Sequence, residues 1–400
     1  MMTTIISGQI GWKDLYAVST DKRDVGLGVA LLDPSQAPLV LLTQTGMDAR
    51  KLGAPTEKVK LNKAVTGNPK VEWVEDELVP MQDAVNSTAG YSAAVTSIAV
   101  DNGPYFYTGC YGYVKRTGEI FLVTTVATNQ LSVIVRGAIG TTAAALLDND
   151  EIIILDIAHE EGATIPTARS TRKSLQYNYT EITRTVINMT RTTQKTNMLG
   201  EERDMPYQIR KNGIEHAIKL ENKFLWGSRS ISYSGTEAKR TMNGLAHIIT
   251  TNVFDSGGTL TQTDFDREVL EECFKKGRGS SYRLVLCSQR MNSVICGWGK
   301  DLVRLNVSDR KFGFVVNEYV SPSGVVYIIP HHLITGTTGI SAFVLDPEKI
   351  KYRYLTDSDT MLEKDVVKAG TDGTQHQYLS EVTLEVRNEQ CHAIVKNVEN

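Results

Sequence analysis

The stretch EERDMPYQIRKNGIEHAIKLENKFLWG, from Glu201 to Gly227, constrains the fold of this chain more than any other. Its apolar residues Met205, Ile209, Ala217, Leu220 and Phe224 recur so as to share one side of a helix, and Ile214, Ile218 and Leu225 widen the stripe. Asp204 is placed to cap the start, Pro206 suits a first turn and Gly227 suits the end. The opposite side carries Arg210, Lys211, Glu215, Lys219, Glu221 and Lys223. The pattern predicts a long helix with one side buried in its own domain and a charged side turned to water or another subunit.

A chain of 400 residues exceeds one compact core, so two or three domains, or one domain with large insertions, are expected. The net charge of −3 argues against a dedicated nucleic-acid binder, which needs a basic excess to neutralise phosphates. The N-terminus MMTTIISGQIGWKD lacks a basic segment followed by an apolar core, and no stretch approaches the length of apolar chain that spans a bilayer. These features imply a soluble, unexported protein with no membrane partner. The five cysteines are scattered and never in a CxxC spacing, which points to buried reduced thiols.

Residues 1–70 contain two short apolar runs, VGLGVALLD and PLVLLTQTG, among Gly, Pro, Lys and Thr, and read as an arm packed along something larger. VEWVEDEL then sets Trp73 among Glu72, Glu75, Asp76 and Glu77, a solvated strand with one anchoring aromatic. From Tyr91 to Ile157 short β-patterned runs alternate with turns such as Asn102-Gly103-Pro104, the mark of a small barrel or sandwich. GAIGTTAAA, Gly137 to Ala145, lacks the Lys of a phosphate cradle. His159, Glu160 and Glu161 are adjacent in sequence, without a second His at helical spacing, and read as a polar exit loop.

Residues 166–200 are rich in Thr, Arg, Lys, Tyr and Asn, with too few apolar residues to bury either face within a monomer. Alternation at Leu175, Tyr177 and Tyr179 favours a long strand whose second surface comes from a neighbour. After the long helix, Thr263 is placed to cap DFDREVLEECFKKG, SYRLVLCS reads as a buried strand, and Ser288 is placed to cap QRMNSVICGWG. Two strands follow around the turn Ser321-Pro322-Ser323-Gly324, and His331 and His332 after them lack a third metal partner. The β-rich tail is expected to return to a sheet laid down earlier.

In serial order these pieces resemble the major capsid protein of tailed bacteriophages, in the fold shared with encapsulins and the herpesvirus capsid floor. The resemblance runs from VEWVEDEL through RTGEIFLVTTV, LSVIVRG and YTEITRTV to IRKNGIEHAIKLENKFLWG and KRTMNGLAHIITTNV, and closes with FGFVVNEYVSPSGVVYIIP and AFVLDPEKIKYRYL. It implies an α+β fold with a long spine helix, an extended β-hairpin loop, an axial domain and an inserted small β-barrel or sandwich. The implied domains are an N-terminal arm (1–70), an extended loop (71–200, with the β-domain at about 85–165), a peripheral domain with the spine helix (201–259), an axial domain (260–340) and peripheral return strands with the tail (341–400).

The resemblance further implies a structural protein that assembles into pentamers and hexamers of an icosahedral shell around packaged DNA, which it contacts only non-specifically. Scaffolding, portal and cement or decoration proteins are the implied partners beside the chain itself. The implied location is the virion capsid, assembled in the host bacterial cytoplasm. No cofactor, metal or catalytic residue is implied. Trp73, Arg169, Arg172, Lys173, Arg184, Glu215 and Glu221 are the candidate inter-subunit contacts, with the arm's basic residues facing acids on a neighbour's spine helix. Two other classes stay open: a carbohydrate-active enzyme using paired carboxylates among Glu72, Glu75 and Glu160, and a virion decoration or fibre protein suggested by the β-rich unit alone.

Overall fold

The structure, a computed structural model, describes residues 37–44, 47–48, 58–59, 61–162, 164, 168–195, 204–233, 237–276, 281–298, 317–335, 339–368 and 370–399. The run VGLGVALLD lies outside them. The chain divides into two compact units, Val74–Leu175 and the remainder.

The smaller unit is an antiparallel sheet of six strands in the order Gln82–Ala84, Glu151–Leu155, Tyr111–Val114, Ile120–Ala127, Gln130–Val135, Ile98–Ala99. Its two ends meet through a bridge between Val85 and Val100, where Asn86 N–H donates to Ala99 O at 3.0 Å and Asp101 N–H to Ala84 O at 3.1 Å. The sheet therefore closes on itself, and closure removes the free edges that an open sheet would expose. Of the barrel and sandwich expected, a barrel is formed. Phe121, Val123, Leu131, Ile152 and Val114 fill it. Gly112 lies against the Phe121 ring, where an added Cβ would sit 2.3 Å from Cζ.

Glu119 is buried in this unit and accepts from Arg136 Nε at 2.6 Å, Arg136 Nη2 at 2.7 Å, Ala144 N–H at 3.0 Å and Gly137 N–H at 3.2 Å. These bonds pin the Gly-rich crossing 137–145. Burial alone would push the Glu119 carboxyl up; the Arg136 and backbone donors outweigh it and hold it below the ordinary value.

The larger unit is built on two large sheets, with short two-stranded pairs at Met47–Asp48/Lys58–Val59 and Ser230–Ser232/Lys239–Thr241. Six strands run in the order Val253–Gly258, Ala393–Val398, Ile340–Leu345, Tyr282–Cys287, Gly324–Pro330, Asn317–Ser321. Tyr282–Cys287 and Ile340–Leu345 are buried throughout, as strands covered on both faces must be. Leu284 and Leu286 join a cluster with Leu220, Phe224 and Leu225 of the long helix, while Val285 and Cys287 join Phe265, Val269 and Met291 on the other side. The helix that covers this second side is capped by Thr261, whose Oγ1 accepts from Asp264 N–H at 3.2 Å, rather than by Thr263. Ser288 caps its helix as expected, accepting from Met291 N–H at 3.2 Å.

The second sheet has the order Glu181–Thr190, Gly373–Val386, Ile350–Leu355, Asn62–Thr66, with Met361–Glu363 also paired to Gly373–Val386. The tail thus returns to both sheets, as its β-patterning predicts. Pairing of Glu181–Thr190 with Gly373–Val386 is antiparallel and unbroken from Glu181↔Val382 to Thr190↔Gly373. Part of the polar arm is therefore an ordinary strand of its own subunit. The spine helix itself spans Asp204–Trp226, with Asp204 its first residue. Within the apolar run PLVLLTQTG, Pro38–Gln44 is a short helix, and Leu39 and Leu42 enter the core beside Phe224.

Candidate inter-subunit surface

Three sides of the spine helix have different surroundings. Leu220, Phe224 and Leu225 enter the core. A second side lies on the strand Glu181–Thr190, where sparse apolar residues are offset by polar contacts: Lys223 Nζ reaches Glu181 Oε1 and Thr183 Oγ1, both at 2.7 Å, and Lys219 Nζ donates to Thr185 Oγ1 at 3.2 Å. His216 is buried between Thr185 Oγ1 at 3.0 Å and Ser380 Oγ at 2.7 Å, with its ring stacked on Tyr378. Burial, aided by the nearby Lys219 and Lys223 charges, pushes the His216 imidazole down to about 4.

Glu221 belongs to a third, interior side, and its place as an inter-subunit contact is corrected. Its carboxylate accepts from Leu39 and Val40 N–H, both at 3.0 Å, and lies 2.9 Å from His331 Nε2, with no exposure of either side chain. A carboxylate at the first N–H groups of a helix is favourably placed for the helix dipole. Glu215 remains partly exposed, 4.0 Å from Lys211 on the next turn.

The strand Glu181–Thr190 turns Thr183, Thr185 and Ile187 toward the helix and Ile182, Arg184, Val186 and Asn188 to the exposed side. On that exposed side of the sheet the register aligns Arg184 with Leu379, Lys351 with Glu385 and Arg353 with Thr383. Glu385 is fully buried and receives Arg353 Nε and Arg387 Nε at 2.5 Å each, with Lys351 Nζ at 3.7 Å. Burial would push its carboxyl up, but the two arginines outweigh burial and hold it below the ordinary value. Sequence reasoning missed this cluster. Its signal was present in the alternation of Lys351 and Arg353 in KIKYRYL against Glu385 in the tail.

Strands Lys70–Glu75 and Ser174–Tyr179 form a two-stranded ribbon, and the chain passes between its two units within these strands. The ribbon and the segment after it expose apolar side chains: Leu78 is 91% exposed, Leu175 59% and Val74 55%. Trp73, by contrast, is 6% exposed, and strand alternation places Glu72 on the other face. That burial corrects Trp73 as a contact residue; of the candidate acids in the strand, Glu72 lies on the opposite face and Glu75 shares the face of Trp73. Glu160 is exposed with His159 and Glu161.

Arg169 is committed within the smaller unit: its guanidinium lies 4.3 Å from the Tyr107 ring centre, and Nη2 donates to Pro104 O at 2.9 Å and Tyr105 O at 3.2 Å. Arg172, Lys173 and Arg184 are exposed. The cysteines are free thiols, four of them buried. His331 is occupied by Glu221, and among the described residues no group of three His, Cys, Asp or Glu is arranged to hold a metal. Among them, too, no helix is long and apolar enough to cross a membrane.

The sequence matches the family model described as SU10 major capsid protein over residues 14–399. It is 23% identical over 291 residues to the major capsid protein of Pseudomonas phage PaMx41, covering 69% of each chain. Among solved structures it is similar to the capsid of a native GTA particle, at 7% identity and a TM-score of 0.49, covering 98% of this chain and 100% of that one. A chain of Mycobacterium phage Bobi gives 9% identity and a TM-score of 0.47, covering 97% and 99%. The family match spans both units and the ribbon strands that join them in sequence, and the chain belongs to the SU10 major capsid protein family.

Proposed function

We propose that this structural capsid protein assembles with copies of itself into pentamers and hexamers of an icosahedral shell around packaged DNA, inside the host bacterial cytoplasm. Scaffolding, portal and cement proteins are its further partners, and its contact with DNA is non-specific. In this reading residues 71–200 are the extended loop, 201–259 and 341–400 the peripheral domain and 260–340 the axial domain. The observation that carries it is the ribbon: a two-stranded sheet with Val74 and Leu175 uncovered, followed by the exposed Leu78, is not stable on its own account, and a neighbouring subunit supplies the missing cover.

Arg172 and Lys173 meet acids of that neighbour, with Glu215 as the spine-helix partner in place of the buried Glu221. Repeated contacts of modest individual strength then stabilise a closed lattice. The test is expression of the full chain, followed by size-exclusion chromatography and negative-stain microscopy, with Leu78→Asp and Arg172→Glu alongside. Rings, tubes or shells from the parent, lost in Leu78→Asp and weakened in Arg172→Glu with unchanged circular dichroism, support the reading. A parent chain that stays monomeric with scaffold or lysate present overturns it, and normal shells from Arg172→Glu remove that residue from the contact.

A further inference from the structure

The barrel is apolar on part of its outside as well as within. Val114, Phe121, Val123, Ile152 and Ile154 fill the interior, so strand alternation turns the residues between them outward. The register sets these in two rows. Leu155, Tyr111, Leu122 and Val135 lie side by side across four strands. Ile153, Tyr113 and Ile120 lie side by side across three of the same strands. Leu155 and Val135 are exposed and the other five partly buried. A sheet with one face in water alternates apolar with polar residues, whereas strands apolar on both faces are strands covered on both faces.

Three strand spacings by one two-residue step, with the overhang of the side chains, make a patch of about 300 Å². The two rows contain no charged side chain. At one end Lys115 and Glu151 close on each other as an ion pair, so that border adds no net charge. Uncharged aromatic and aliphatic side chains are the composition of the centre of a protein–protein contact. A sugar-binding face would need several polar side chains beside its rings, and the two tyrosine hydroxyls are the only polar side-chain groups in these rows.

We propose that this face of the barrel meets the same face of a second copy across a two-fold axis of the shell. The inference rests on the assembly reading above and adds a contact made by the barrel. Charge and area together select a copy of the chain as the occupant. A two-fold contact is isologous, so the patch must complement itself, and a face without charge meets its own image free of like-charge repulsion. The patch is also well below the roughly 800 Å² per side that holds a stable complex in solution. A separate protein recruited from solution would need that larger area. A contact of this size closes only where other contacts already hold the two copies close, as a lattice does. The barrels are therefore unpaired in free subunits and paired in shells.

The test uses the purified full chain with no other protein present. Tyr113→Cys in a Cys296→Ser background, the other cysteines being buried, is assembled and treated with a short bismaleimide. A species of twice the subunit mass is expected from shells and not from free subunits. Shells that yield none overturn the pairing and leave the assembly reading intact. Leu122→Asp and Leu122→Lys are assembled separately and in equal mixture. Each alone puts like charges into one small desolvated contact, so loss of shells is expected, and the mixture, which brings opposite charges together, restores them. Shells from either variant alone overturn the pairing. So does a mixture of the two folded variants that forms none, an outcome that leaves the face to a different protein. Should circular dichroism show either variant unfolded, the cross-link alone decides. Failure of the parent to assemble overturns the assembly reading and the pairing together.

Discussion

Glu221 and His331 meet at 2.9 Å with both side chains fully buried, and the pair holds the N-terminal segment onto the spine helix. Leu333 N–H donates to His331 Nδ1 at 3.1 Å, so Nε2 carries the hydrogen and Glu221 accepts it. The same carboxylate accepts from Leu39 and Val40. Glu221→Ala is expected to cost about 3 kcal/mol, because one buried N–H on His331 and two on the short helix lose their acceptor together. Urea unfolding measures the loss, and limited proteolysis should cut earlier around residues 37–44; Glu221→Gln, which keeps an acceptor oxygen, should lose less.

His216 predicts an acid-side loss of stability. Its ordinary value of 6.5 applies in the unfolded chain, whereas burial and the Lys219 and Lys223 charges hold the folded value at about 4. Between these two pH values the unfolded chain binds a proton that the folded chain refuses, so the contribution is complete above pH 6.5 and drains away toward pH 4. His392, lowered to about 3 by burial and Arg283, acts in the same direction. The urea midpoint of the parent should fall from pH 7 to pH 4.5, and that of His216→Gln should fall less steeply. Parallel curves would remove His216 from the account.

Glu385→Gln leaves Arg353, Arg387 and Lys351 gathered around a neutral group. A loss of about 3 kcal/mol is expected, of the size found when one partner of a buried ion pair is removed. The parent's carboxyl lies below the ordinary 4.5, so its contribution is present above that pH and disappears as the pH drops through the folded value. The difference between parent and variant in urea unfolding should therefore shrink on acidification.

Gly112→Ala tests the packing of the barrel. Its Cβ would stand 2.3 Å from Phe121 Cζ and 2.7 Å from Cε2, and Phe121 is fully buried with no room to swing. The forced shift is expected to cost about 2 kcal/mol, visible as an earlier thermal transition.

The spine helix was legible in sequence because apolar side chains at helical spacing can be buried only one way, and Leu220, Phe224 and Leu225 are buried so. Its charged side was not, since a carboxylate such as Glu221 looks alike in sequence whether it meets water or two backbone N–H groups from a segment far away in the chain. The strand Glu181–Thr190 misled for a related reason. Thr183 and Thr185 are polar, yet their hydroxyls receive Lys223 and Lys219 or meet His216, so a surface too polar for an apolar core is still covered from within. The cluster at Glu385 joins strands that are separated in sequence, and only the register reveals it.

The chain enters and leaves the closed barrel between Val74 and Leu175 through one pair of strands. Its outgoing and returning strands, Lys70–Glu75 and Ser174–Tyr179, are hydrogen-bonded neighbours. A tight turn is all that would be needed to join them without it. Replacing the barrel by such a turn is therefore expected to leave the pairing of the remaining strands unchanged.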